Sequence, residues 1–141
     1  MNPYFTKTLY EDFPTLYAQH DLSMQKTLMC WNFENGDGWE KLIRDLSQQL
    51  EFLNDMVPTV WVEAVQVKEK FSTLRFYVDI EGAKPWRDIV YALIDYAEAR
   101  SSWTCEWCGE SGKARYDGWV RTLCDPCHDE LLEKKAKRKA T

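Results

Sequence analysis

The sequence predicts an α+β fold: amphipathic helices packed on a β-hairpin or small antiparallel sheet, followed by a C-terminal module built on cysteines. Three observations predict it. Apolar residues recur at helical spacing over 39–53 and again over 86–97. Between these stretches, at 73–80, they alternate at strand spacing. Four of the five cysteines form two close pairs after residue 104. The chain has 141 residues, 45% of them hydrophobic, with seven Trp, seven Tyr and six Phe. That is enough apolar surface for one core with a small appendage, and it argues against disorder.

The first 35 residues are aromatic-rich and weakly periodic, and Pro3 and Pro14 are expected to limit helices there to a short one at about 12–20. Residues 27–33 read as a short buried strand or extended segment. Asn35-Gly36-Asp37-Gly38 reads as a turn, with Asp37 three residues before Glu40 in the manner of a capping box. Trp39, Leu42, Ile43, Leu46, Leu50 and Leu53 then form one face of an amphipathic helix. Pro58 closes it, and 59–80 turns strand-like, with Lys68-Glu69-Lys70 the expected break between two hairpin strands. Gly82 and Pro85 mark the next boundary, before a second helix carrying Trp86, Ile89, Val90, Leu93, Ile94 and Ala97 and ending near 100–102.

Cys105 and Cys108, then Cys124 and Cys127, are two C-x-x-C pairs with fifteen residues between them. Each pair can offer two sulfurs to adjacent corners of a tetrahedron, and the second pair completes a closed shell, as in a structural zinc site. One Zn2+ per chain, bound to fold the chain and not to catalyse, is the expectation. Paired disulfides are the competing arrangement. The opening MNPYFTKTLYEDF has neither the basic start nor the apolar centre of a secretory leader, so a cytoplasmic protein with no membrane contact is expected. No apolar run approaches the roughly 18–20 residues a membrane-crossing helix requires.

Around the ligands, Gly109 suits a tight knuckle, 116–123 contains strand formers, and Asp125 and Pro126 suit the first turn of a helix. Knuckle, hairpin and ligand-bearing helix make a treble-clef arrangement, with a simple zinc ribbon the alternative. No linker separates this module from the preceding helix, so rigid packing is expected between a core at 1–102 and a metal module at 103–133; a basic tail occupies 134–141. His128 is expected to be an ordinary helix residue, His20 a packing or surface residue, and Cys30 a small buried hydrophobe. The tryptophans are expected in the core more often than in a ligand cage, and an exposed cluster of them would mark a binding face.

Net charge is −5, divided as −8 over residues 1–112 and +3 over 113–141. The acidic body would repel a nucleic-acid backbone, so any such contact falls to Lys113, Arg115, Arg121 and the run Lys134, Lys135, Lys137, Arg138, Lys139. The run is also what a solvated helix end looks like.

The segment CEWCG…LCDPCH resembles the treble-clef half of HNH nucleases, but those enzymes add metal-binding histidines between the pairs, and residues 109–123 contain none. The same segment is similar to the zinc finger of the DksA/TraR family of RNA-polymerase-binding regulators; the likeness stops at the finger, because a strand-rich core precedes it here. Over most of the chain, MCWNFENGDGW (29–39), VQVKEKFSTLRFYVD (65–79), CEWCG (105–109) and GWVRTLCDPCH (118–128) resemble small zinc-finger proteins of phage and prophage genomes. That resemblance implies an accessory protein acting in the host cytoplasm and carries over no catalytic residue. No nucleophile–base pair stands out, and Glu63, Lys68, Glu69, Lys70 and Arg75 read as hairpin surface charge. The expected function is non-enzymatic binding of a host or phage protein, a host defence component among them. Nucleic-acid binding or transcription regulation through the finger and tail is the alternative.

Overall fold

Pro3 starts a helix instead of preventing one. In the computed structural model, which describes all 141 residues, α1 spans Pro3–Asp12 with the proline in its first turn, where no N–H is required. Asn2 caps it, its side-chain oxygen accepting the Phe5 amide at 3.0 Å. The helix expected at about 12–20 is therefore displaced toward the N-terminus, and residues 14–20 are turns. The segment at 27–33 is likewise split: Met29–Trp31 makes one 3₁₀ turn, and only Phe33–Glu34 is a strand, β1.

The next helix, α2 (Glu40–Met56), buries Leu42, Ile43, Leu46 and Leu50 on one face. Its start corrects the expected capping box. Asp37 lies in a 3₁₀ turn ahead of the helix and makes no cap. Its carboxylate instead accepts the Asn2 backbone amide at 2.6 Å and the Asn2 side-chain amide at 3.2 Å, joining this turn to the start of α1.

The hairpin consists of β2 (Trp61–Lys70) and β3 (Thr73–Glu81), antiparallel, with β1 added in parallel at the β2 edge to give the order β1-β2-β3. Lys68-Glu69-Lys70 does not break the hairpin, because all three remain in β2. The chain reverses at Phe71 and Ser72, whose φ angles of 51° and 71° make a two-residue turn of the primed kind. Such turns favour Asn and Gly, so this sequence gives no local sign of one. Two contacts hold it: Glu69 accepts the Ser72 amide at 2.9 Å, and the Ser72 carbonyl accepts the Thr122 hydroxyl at 2.7 Å.

Lys84–Ser101 forms α3, with Pro85 in its first turn. It lies against β3 and α2, and α2 lies against β2, so two helices cover one face of the sheet. Val62, Ala64, Val67, Leu74 and Phe76 meet Val90, Ile94, Ala97 and the α2 leucines in a single core. Each fully buried Leu or Phe there contributes about 1.5–3 kcal/mol. No helix is long and apolar enough to cross a membrane.

At the α3–β3 contact the Glu98 carboxylate accepts the Phe76 amide at 3.0 Å. Burial pushes its pKa up, although the Phe76 amide and Arg75 oppose the shift. A carboxyl whose folded pKa exceeds its unfolded value contributes stability that is complete below the ordinary glutamate range. That contribution is lost as pH rises through the folded value. Glu98→Gln keeps an acceptor for Phe76 and removes the titration. It is expected to flatten the fall in unfolding free energy just above the ordinary carboxylate range, read from urea titrations at successive pH values. An unchanged profile would contradict this.

Candidate metal centre

Cys105 and Cys108 sit on a knuckle that leaves α3 after Ser101. Cys105 donates its amide to the Glu110 carbonyl at 2.7 Å and accepts the Gly109 amide at 2.9 Å. Closing so short a loop requires positive φ, and Gly109 supplies it at 82°. A two-stranded ribbon follows, β4 (Lys113–Arg115) with β5 (Arg121–Leu123). Cys124 then occupies the N-cap position of α4 (Asp125–Lys139) without a side-chain capping bond, and Cys127 lies in the first turn. Helix N-termini carry partial positive charge, which suits thiolates.

These four sulfurs converge, all lying within 4.8 Å of one another. Sulfurs at the corners of a tetrahedron about 2.3 Å from a central ion are roughly 3.8 Å apart. Cys108 and Cys124 have their sulfurs 3.6 Å apart, and no disulfide joins any of the five cysteines. The donor set therefore fits one tetrahedral, sulfur-ligated ion. Burial and then the neighbouring thiols push the Cys127 pKa far up, and burial raises Cys108 as well. Burial also acts upward on Cys105, but hydrogen bonds from the backbone amides of Cys124, Cys108 and Trp107 outweigh it and bring its pKa down. A bound dication supplies the opposite charge that four crowded thiolates lack.

The centre is attached to the core through contacts that local sequence does not announce. The 35–38 turn, read above as a simple reversal, lies directly on the knuckle. The Gly38 amide donates to the Glu106 carbonyl at 2.8 Å, and the Gly36 amide to the Glu106 carboxylate at 3.1 Å. Trp39, fully buried, donates its indole N–H to the Thr104 carbonyl at 2.8 Å. Glu106 is itself buried; burial raises its pKa, while Arg121, 3.3 Å away, pulls it back. From the other side, Thr122 of β5 holds the hairpin turn at Ser72. Leu123 with Cys105 and Cys124 forms a second, small apolar cluster, packed by Trp107, Cys127 and Leu131.

The basic residues do not converge in the same way. Arg115 is engaged by the Leu123 carbonyl at 3.2 Å and by Asp125. Arg121 pairs with Glu106, Lys134 with Glu130 while lying over Trp107, and Lys135 with the Asp117 carbonyl. Lys113, Lys137, Arg138 and Lys139 make no ion pair. Residues 134–139 are the last turns of α4, not a tail hanging beyond it. His128 lies between Asp117 at 2.6 Å and Arg115 at 3.5 Å, outside the sulfur shell.

Among the other singled-out residues, His20 stacks on Tyr10 with ring centres 4.2 Å apart. Cys30 is half-buried and donates to the Thr27 carbonyl. The expectation of tryptophans in the core is corrected: Trp39 alone is fully buried, while Trp31, Trp61, Trp103 and Trp119 are about half exposed or more. The hairpin charges have local partners. Glu63 accepts from Gln19 and Trp61, Glu69 from Ser72 and Trp119, and Lys68 and Lys70 lie over Tyr77 and Phe71. No family model, curated protein or solved structure matches this chain.

Proposed function

We propose that this chain is a non-enzymatic accessory protein of the phage or prophage kind, stabilised by one structural zinc ion. In this reading it acts by binding a host or phage protein on the face where finger and hairpin meet. One observation supports the reading above others: Phe71. An aromatic residue in left-handed backbone costs about 1–3 kcal/mol, and at 71% exposure its ring returns nothing to the core. The turn that displays it is pinned by the finger through Thr122 and Ser72. Trp119, 67% exposed, hangs from the adjoining Glu69 through its indole N–H at 3.0 Å. Beside it a cleft of about 490 Å³ is lined by Trp107, Trp119, Glu34, Glu69, Glu106 and Arg121. Exposed aromatics beside the carboxylates of Glu34 and Glu69 suit a partner that presents a basic side chain to an apolar surround.

Zinc is assigned because four thiolates with no open position are its structural donor set. Such an ion keeps no site for activating water. Nucleic-acid binding is the weaker reading because four of its eight basic residues, Arg115, Arg121, Lys134 and Lys135, are engaged within the protein, leaving Lys113, Lys137, Arg138 and Lys139.

The test is affinity purification from the native cell with the parent protein and with the double variant Phe71→Asn, Trp119→Ala. Asparagine tolerates the left-handed turn better than phenylalanine, so the variant should keep its metal and its Tm. The expected result is a protein partner captured by the parent and lost by the variant. Recovery of nucleic acid alone, released by moderate salt, would overturn the proposal.

A further inference from the structure

Alongside α1, His20 and residues Trp31 to Phe33 line an open cleft of about 570 Å³. Its size is that of a small-molecule site. Flat rings line it: the stacked pair Tyr10 and His20, and Trp31, whose indole is 55% exposed. Asn32 lies between them with φ 58° and ψ −147°, close to a backbone region that is essentially glycine's alone. It is not the ordinary left-handed helix cap for which asparagine is common, because ψ is wrong for one. Glycine would make this turn without strain, so the backbone alone does not call for the asparagine side chain. That side chain accepts the Tyr10 hydroxyl at 2.8 Å. A carbonyl oxygen has a second lone pair and the amide nitrogen two hydrogens, and neither finds another partner in the protein. The cleft thus presents apolar ring faces beside one donor–acceptor edge.

We propose that this cleft binds a free nucleobase or nucleoside: a planar nitrogen heterocycle stacked on the Trp31 side and read at its edge by the Asn32 amide, as asparagine reads adenine. An uncharged ligand fits better than a phosphorylated one. At the rim Lys7 is paired with Glu11 at 3.7 Å, and residues 1–112 carry a net charge of −8. The cleft adjoins the partner-binding face proposed above, sharing Met1 and Phe33 with it, but Tyr10, His20, Trp31 and Asn32 are not part of that face and the proposal does not rest on it.

The test is calorimetric titration of the intact protein with adenosine, guanosine, cytidine and uridine, and separately with a short single-stranded oligonucleotide. Saturable binding of at least one nucleoside is expected. Asn32→Gly should weaken it at least about tenfold, the scale of one lost bidentate contact, while Tm stays level or rises because strain is relieved. Trp31→Ala should weaken binding with no loss of Tm. A merely structural Asn32 would give the reverse, a lower Tm with unchanged affinity, and would overturn the proposal. So would absence of saturable binding by all four nucleosides at millimolar concentration. Binding of the oligonucleotide alone, with steep salt dependence, would also overturn it by placing recognition on phosphates.

Discussion

Gly38→Ala is expected to lower the unfolding free energy by about 3 kcal/mol, the upper end of ordinary overpacking, and Tm by roughly 10 °C for a chain of this size. A β-carbon at position 38 would lie 2.1 Å from the Cys105 carbonyl oxygen, 2.6 Å from the Gly109 nitrogen and 2.7 Å from the Cys108 nitrogen. All three obstacles are backbone of the metal knuckle, so no flexible side chain can swing aside. Either the 36–39 turn lifts off the knuckle or the knuckle distorts, and the hydrogen bonds to Glu106 and Thr104 are lost with it. Metal affinity is therefore expected to fall with stability, although position 38 offers no ligand atom. Urea unfolding together with competition against a chromogenic chelator measures both quantities. Unchanged stability would mean that core and finger are not in contact here.

Chelation of the zinc ion proposed above is the second large expected effect. Structural four-ligand zinc sites contribute apparent binding free energies of about 10–16 kcal/mol, more than the net stability of a typical domain. The finger's own apolar cluster is only Cys105, Leu123 and Cys124 with their partly buried neighbours, too little to fold alone. Chelation is expected to unfold 103–139 and then to loosen two distant places, the 36–39 turn and the Phe71–Ser72 reversal, which the finger pins. Amide hydrogen exchange before and after chelation should show new exchange at these positions, while Leu46, Val62 and Leu74 in the core stay protected. Cys30→Ser should leave metal content unchanged, because Cys30 lies outside the cluster. Exchange confined to the finger would show that the modules are energetically independent.

Legibility in the sequence followed the range of the interactions. The grouping of the four cysteines could be read because each pair is three residues apart and their chemistry is local. So could α2 and α3, whose apolar faces recur at helical period, and the alternating residues of β3. Those features yielded the α+β class and the finger order of knuckle, ribbon and helix. The roles of Gly36 and Gly38 could not be read. They are set by Glu106 and Cys105, about seventy positions away, and a glycine in a turn has the same local pattern whether or not it touches anything. The hairpin reversal was misplaced for a related reason: Phe71-Ser72 carries no turn signal, and its strain is borne by Thr122 in another module. Asp37 shows the same limit, since Asn2 takes the carboxylate that spacing alone assigns to a helix cap. Side-chain type also failed to give the location of the tryptophans, because indoles serve equally in a core and at an exposed face.

X-ray absorption at the zinc edge, on protein purified without chelators, reads the ion and its ligand shell together. One zinc per chain with four sulfur neighbours at about 2.3 Å and no oxygen or nitrogen in the shell is the predicted spectrum. Protein free of metal with its thiols joined to one another, or an ion holding a water in place of one sulfur, would contradict it.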